Sequence, residues 1–204
     1  ARYLELAVEN YKLTSSYKVR DWTTQSIYSL GQAFEDFGLG IFQQERPRNL
    51  TMDNLIALET GIAKAAVEYL IDRAWPAYEN NVALGVKFNF EDRWILRARD
   101  KMTMLPYSSA QSYTKLMEII QKMPHADASQ PPVMQIRGKL GVLQQLGPLQ
   151  EKAISLYLKT LEKGLMYQIQ DDYVRKAAAE VTSISYGIGE TYREIVEIAR
   201  GAPI

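Results

Sequence analysis

A short pattern of aromatic residues and glycine occurs twice in this chain, once near each end. Residues 28–37 read YSLGQAFEDF and residues 186–195 read YGIGETYREI, so in both a glycine follows the tyrosine by three positions and an aromatic residue follows the glycine by three. Residues three apart lie on one face of a helix, and a glycine there lets a second helix pack closely. The pattern therefore predicts closely packed helix pairs.

A second pattern, a small residue four positions before a tyrosine, supports the same architecture. It occurs as Ala7 with Tyr11, Ala74 with Tyr78, and Ala153 with Tyr157. The middle unit is the most degenerate, and in it residues 92–94 (DRW) open a partner helix that we expect to end at residues 105–107 (LPY). Helix pairs repeated in this way build a solenoid, and such solenoids usually bind other proteins.

The predicted organisation has three parts. Residues 1–122 form repeat units 1 and 2, residues 123–132 form a proline-rich hinge or loop, and residues 133–204 form unit 3. The hinge is assigned because prolines interrupt the helical pattern there. The expected fold class is all-α, an irregular solenoid of antiparallel helix pairs.

Helix boundaries follow from caps, breakers and the spacing of apolar residues. Thr51 is the predicted N-cap of the third helix, and Pro76 is expected to kink or divide that helix near Trp75. No stretch alternates convincingly between apolar and polar residues, so no strand is predicted. The expected helices cover two segments within residues 3–44, then residues 52–83, 90–104, 108–122, 133–146, 148–165 and 171–200.

Composition excludes several classes of protein. Lys and Arg together number 24, as do Asp and Glu, so no net charge draws the chain to nucleic acid. Cysteine is absent, which removes disulfides and thiolate chemistry, and no apolar run is long enough to span a bilayer. Because the sequence begins with Ala1 inside an apparent helix, we expect a fragment or a processed protein.

The repeated pattern resembles the tetratricopeptide repeat family. Leu30-Gly31-x-x-Phe34 and Ile188-Gly189-x-x-Tyr192 are similar to the leucine-glycine-x-x-tyrosine core of that family's first helix, and the alanine-tyrosine pairs are similar to its second helix. The chain departs from the family at the tryptophan position, where it has Ile27 and Ser185, and in the regular 34-residue step, which is lost.

A closer resemblance is to the irregular C-terminal regions of large bacterial envelope proteins with these repeats. The segments that carry it are residues 28–37, 45–47 (ERP), 76–81 (PAYENN), and 93–94 (RW) before 105–107 (LPY). The resemblance implies an exported, periplasmic scaffold in a Gram-negative envelope, with a cytoplasmic location as the alternative. It also implies partners among proton-driven envelope machinery of the Tol or Exb kind, or of gliding motility.

Candidate catalytic and metal-binding residues are few. His125 is the one histidine and lies in the predicted hinge, without acidic residues at ligand spacing, so no metal or cofactor is expected. The acidic pairs at 91–92 and 171–172 stand where helices begin and are interpreted as caps rather than acid–base dyads. With no phosphate-binding loop and no nucleophile elbow, the chain is predicted not to be an enzyme.

The favoured function is a noncatalytic scaffold that holds a partner protein or peptide. The predicted contact residues are Tyr28, Arg46, Tyr78, Asn80 and Asn81. Adjacent asparagines near a helix kink could hydrogen-bond a peptide backbone, although they could instead cap the helix before Gly85. Most of the tyrosines are expected to belong to the core.

Two other functions remain open at this point. The first is a small-molecule binder or enzyme with an aromatic pocket near residues 123–132 and a polar group such as Arg137 or His125. The second is self-association through helix faces near Ala1 and Ile204.

Overall fold

The computed structural model describes residues 2–122 and 129–201, and within them the chain is helical, with no strand. This confirms the all-α class. The bounds of the helices are α1 Arg2–Ser16, α2 Arg20–Phe42, α3 Met52–Val67, a π-helical segment Glu68–Ala74, α4 Trp75–Phe88, α5 Arg93–Gln121, α6 Pro132–Met166 and α7 Asp172–Gly201.

Helix α5 lies at the centre of the packing. It contacts α2, α3, the π-helical segment and α4, and it also contacts α6 and α7, whereas α1 packs against α2 alone. The segments predicted as separate units, residues 1–122 and 133–204, therefore meet along α5. Predominantly apolar side chains from α2 to α7 form one core, including Leu70, Tyr78, Met102, Leu105 and Tyr157, each at most 1% exposed.

The third helical stretch changes type next to its proline. Helix α3, capped by the Thr51 hydroxyl as predicted, passes without a break into the π-helical segment, and α4 then starts at Trp75 with Pro76 as its second residue. Proline has no N–H to continue the α-helical ladder, and π-helical turns, though rare, occur as local irregularities inside α-helices. The predicted division near Trp75 is found as this change of helix type.

Helix α5 runs through Pro106, so the prediction of a helix ending at residues 105–107 is wrong. Pro106 cannot donate to the carbonyl of Met102, four residues earlier, and that carbonyl is buried. The indole Nε1 of Trp75 donates to it instead, at 3.2 Å. A side chain from α4 thus replaces the missing backbone hydrogen bond, and the helix continues.

Helix α6 also contains a proline, and the predicted break between residues 146 and 148 is likewise wrong. Pro148 leaves the carbonyl of Gln144 without its usual donor. Both residues are exposed, so water can satisfy that carbonyl. Of the predicted hinge at 123–132, residues 123–128, with His125, lie outside the described residues, and α6 already begins at Pro132.

Two turns, before α5 and before α7, have the same construction. Asn89 and Gln168 adopt left-handed backbone angles, with φ of 50° and 54°. In the first turn the N–H of Phe90 donates to the Gly85 carbonyl at 3.0 Å, and in the second Ile169 donates to Gly164 at 2.8 Å. These bonds satisfy carbonyls that the end of a helix leaves free.

The N-caps that follow these turns are also alike. Asp92 accepts from the N–H groups of Trp94 and Ile95 at 2.8 and 2.9 Å, and from the Thr24 hydroxyl at 2.6 Å. Asp171 accepts from the N–H of Val174 at 2.9 Å and from the Thr103 hydroxyl at 2.6 Å. The interpretation of these acidic residues as caps is confirmed.

The equivalent contacts lie a constant 79 residues apart in the sequence. This offset relates Thr24 to Thr103, Gly85 to Gly164, Asn89 to Gln168 and Asp92 to Asp171. It also places the middle copy of the aromatic–glycine pattern at residues 107–113 (YSSAQSY), midway between Tyr28 and Tyr186. The partner helix of the middle unit, expected to end at residues 105–107, instead continues, and the middle copy of the pattern begins there at Tyr107.

We expect Asp92→Ala and Asp171→Ala to destabilise the protein by similar amounts, about 2 kcal/mol each, because each removes a cap and the carboxylate that accepts from a buried threonine hydroxyl. Urea unfolding followed by circular dichroism measures this. Asp172→Ala, next to a cap and with a side chain 63% exposed, is the matched control and should change stability by less than about 0.5 kcal/mol. Equal losses for Asp171 and Asp172 would contradict the cap assignment.

Candidate functional site

The first copy of the aromatic–glycine pattern is covered by a tyrosine from α4. A Cβ atom on Gly31 would lie 2.8 Å from the ring of Tyr78, so only glycine allows this approach. The rings of Tyr28 and Tyr78 lie 5.2 Å apart, and the Tyr78 hydroxyl donates to Glu35 at 2.7 Å. Tyr78 is completely buried, and burial together with the Glu35 carboxylate raises its pKa far above the ordinary value for tyrosine.

The second copy is covered in the same manner by a tyrosine from α6. The rings of Tyr107 and Tyr157 lie 5.6 Å apart, and Ala110 stands where the first copy has Gly31. The Tyr157 hydroxyl accepts from Gln111 at 2.8 Å and lies 3.0 Å from the Thr114 hydroxyl. Both copies are therefore closed by a tyrosine that follows a small residue by four positions.

The phenol of Tyr157 should make stability depend on alkaline pH. Burial raises its pKa to about 12, whereas an unfolded tyrosine titrates near 10. The folded protein therefore binds more protons than the unfolded chain in this interval. The contribution of the Tyr157 phenol to the free energy of unfolding is therefore complete below about pH 10. It is lost as pH rises through about 12, by up to about 2 kcal/mol.

Urea unfolding at several pH values between 8 and 12 tests this expectation. Tyr157→Phe should show a shallower loss of stability above pH 10 than the unchanged protein. Tyr3→Phe, at a site 88% exposed, should keep the original slope. Identical slopes for all three proteins would show that Tyr157 does not contribute to the alkaline transition.

The third copy, on α7, is uncovered. Tyr186, Tyr192 and Val196 are 68%, 55% and 45% exposed. Apart from the adjoining residues and backbone of α7 itself, no atom in the described part of the chain lies within 4 Å of a Cβ built on Gly189. On α5 the counterparts of Tyr192 and Val196 are buried: Tyr113 is 4% exposed and Met117 is 5% exposed. We call Tyr186, Gly189, Tyr192 and Val196 the open face.

A groove of about 860 Å³ adjoins the open face. Ile154 and Leu158 of α6 and Ile188 of α7 supply apolar side chains to it, and Leu158 is 50% exposed. The counterparts of Ile154 and Leu158 on α4 are Trp75 and Glu79, which α6 covers: the Lys159 ammonium lies 4.1 Å from the Trp75 ring centre and Lys163 pairs with Glu79 at 2.8 Å. The surface of α4 at these positions is thus covered by α6, whereas the equivalent surface of α6 is open.

The structure places three of the five predicted contact residues inside the core. Tyr28, Tyr78 and Asn81 are 7%, 0% and 0% exposed, and the Asn81 amide donates to the carbonyl of Thr24 at 3.1 Å. Asn80 is exposed on the same helix. Neither asparagine caps the helix, which ends at Phe88 with Asn89 as its C-cap, so the capping alternative is wrong.

Arg46 lies at the surface, in a smaller groove between α2, α3 and α5. Its Nε and Nη2 atoms pair with both carboxylate oxygens of Glu59, at 2.6 and 3.0 Å, and Glu59 raises the pKa of the guanidinium. The groove has a volume of about 350 Å³ and is also lined by Phe42 and Lys115. Binding of a partner at Arg46 or Asn80 stays a prediction.

Comparison with known proteins provides no identification. No protein family, no characterised protein and no solved structure matches the chain. The likeness to tetratricopeptide repeats therefore rests on the quoted residues. Within residues 2–122 and 129–201, no helix is long and apolar enough to cross a membrane, and no three His, Asp or Glu side chains gather where they could hold a metal ion.

Proposed function

We propose that this chain is a noncatalytic protein-interaction scaffold, an irregular helical-repeat solenoid similar to tetratricopeptide repeats, with a repeat of 79 residues. The partner binds on the open face of α7 and in the adjoining groove. The resemblance to envelope proteins favours a periplasmic location and a partner in proton-driven envelope machinery.

One observation carries the proposal: the same pattern is buried twice beneath a helix and exposed once. Exposed aromatic side chains beside a groove lined in part by apolar residues are typical of protein-binding sites, because burying them removes apolar surface from water and aromatic residues provide much of the energy at such interfaces. Tyr186, Tyr192 and Leu158 are at least half exposed and have this character.

Affinity capture from cross-linked cell envelopes, followed by mass spectrometry, tests the proposal. We expect the unchanged protein to enrich one set of partners, and Leu158→Glu to lose them because a carboxylate would have to be buried in the groove. The matched control is Val86→Glu, since Val86 is 72% exposed on α4 and lies outside the groove. Retention of the same partners by both variants would refute binding at this site.

A further inference from the structure

We propose that the partner offers an amphipathic helix in which a tyrosine follows a small residue by four positions, and that this tyrosine packs on Gly189. The inference rests on the proposed function and specifies the chemistry of the partner. It comes from the two closed copies. In the first, Tyr78, four residues after an alanine, lies against Gly31. In the second, Tyr157, also four residues after an alanine, contacts Tyr107, Gln111 and Thr114 on either side of Ala110.

The backbone of α7 is suited to receive such a ring. Gly31 shows that the ring comes within 2.8 Å of where a Cβ atom would be, a distance that a larger residue cannot share. Gly189 leaves the same space open on α7, and among residues 2–122 and 129–201 no side chain from elsewhere in the chain occupies it. Tyr186 stands where Tyr28 and Tyr107 stand, ready for the ring contact that those residues make at 5.2 and 5.6 Å.

A polar pair on α7 can bind the hydroxyl of the incoming tyrosine. Glu190 and Arg193 occupy the positions of Gln111 and Thr114, whose side chains meet the Tyr157 hydroxyl. They form an ion pair at 2.6 Å. A phenol can donate to the carboxylate and accept from the guanidinium, so both groups remain satisfied when the tyrosine covers them.

The groove sets the character of the neighbouring positions on the partner helix. Helix α6 places Lys159 and Lys163 over Trp75 and Glu79. Beside α6 the equivalent positions are Ile154 and Leu158, which offer neither a carboxylate nor an aromatic face. The partner helix should therefore carry apolar residues two and six positions after its tyrosine, where α6 has lysines.

Helix α1 of a second copy of this chain is a poorer occupant. It contains Ala7 and Tyr11, but Tyr11 lies against α2, where it lines a cavity with Ser26 and Ser29. Presenting Tyr11 to another molecule would require breaking that packing. A second copy on the open face is therefore an outcome that would overturn the proposal.

A chain extended by a duplicate of its own residues 126–166 after Ile204 tests the inference, because it places a copy of α6 79 residues beyond the original. In that copy both lysines equivalent to Lys159 and Lys163 are changed to leucine. Hydrogen exchange of the amides between residues 184 and 198 is the measurement. We expect exchange at least about 10-fold slower than in the unextended protein, and less protection when the lysines are kept.

Paired glycine variants of the extended chain provide the control. Gly189→Leu should abolish the protection, whereas Gly187→Leu should leave it, because both glycines are equally unobstructed but Gly187 corresponds to the exposed Ser108. Changing the duplicated tyrosine to alanine should also abolish it. Protection that survives Gly189→Leu, or that is absent in every extended chain, would overturn the inference.

The outcomes separate this inference from the proposed function. Loss of partner capture in Leu158→Glu without protection in the extended chain would leave a scaffold whose partner is not a helix of this type. Protection in the extended chain with capture insensitive to Leu158→Glu would refute the proposed scaffold function at this face. A dimer detected by light scattering and abolished by Leu158→Glu would identify a second copy as the occupant.

Discussion

Gly31→Leu is expected to lower the free energy of unfolding by about 3 kcal/mol, among the largest effects of any single substitution in this chain. A Cβ atom at residue 31 would lie 2.8 to 3.0 Å from three atoms of the Tyr78 ring. The ring of Tyr78 cannot move away to relieve this clash, because Tyr78 is fully buried and its hydroxyl donates a hydrogen bond to Glu35. Overpacking of this kind forces shifts of backbone and side chains. Chemical denaturation measures the loss.

Gly61→Leu is the matched control for this substitution. Gly61 is also a glycine inside a helix, but it is exposed and nothing lies within 4 Å of a Cβ built on it. Leucine is a better helix former than glycine, so this variant should be more stable by about 0.5 kcal/mol. Should Gly31→Leu behave like Gly61→Leu, the close approach of α2 and α4 would not exist in solution.

Glu35→Ala should cost about 3 kcal/mol. Glu35 is 5% exposed, and its carboxylate connects α2 to two other helices. It accepts from the Tyr78 hydroxyl of α4 and pairs with Lys101 of α5, each at 2.7 Å. Its removal leaves a buried phenol and a largely buried ammonium without an acceptor, and breaking a buried pair from one side is strongly destabilising. Glu35→Gln keeps one acceptor and should lose less.

A surface pair offers the comparison for Glu35. Glu194 pairs with Lys139 at 2.6 Å, but their side chains are 51% and 33% exposed. Solvent screens such a pair, so Glu194→Ala should change stability by less than about 0.5 kcal/mol. A similar loss for Glu35→Ala and Glu194→Ala, measured by thermal unfolding, would mean that the burial of Glu35 adds nothing.

The local signals in the sequence predicted local structure well. Thr51 and Asp92 were identified as caps, and the change at Trp75 was expected from Pro76, because caps and prolines act through their own neighbouring backbone. The helix end predicted at Pro106 was wrong, because a side chain distant in sequence supplies the hydrogen bond that the proline cannot donate. That Trp75 donates to the Met102 carbonyl depends on how α4 meets α5, which no local pattern records.

For the candidate site, the sequence predicted the kind of contact, close helix packing, but not which copy of the pattern is exposed. The aromatic–glycine pattern pointed to helix packing, but Tyr28 and Tyr186 look alike in sequence and differ entirely in exposure, at 7% and 68%. The difference depends on whether another helix lies above each copy. Ile154, Leu158 and Ile188 were missed for the same reason, although the 79-residue offset would have marked Leu158 as the counterpart of Glu79.

The hydrogen bond between the Trp75 indole and the Met102 carbonyl makes the residue at position 75 depend on the residue at position 106. With phenylalanine at position 75, Pro106 would leave a buried carbonyl unpaired. With alanine at position 106, the helix would supply its own donor to that carbonyl, and the indole would no longer be required. Related chains that have proline at position 106 should therefore have tryptophan at position 75.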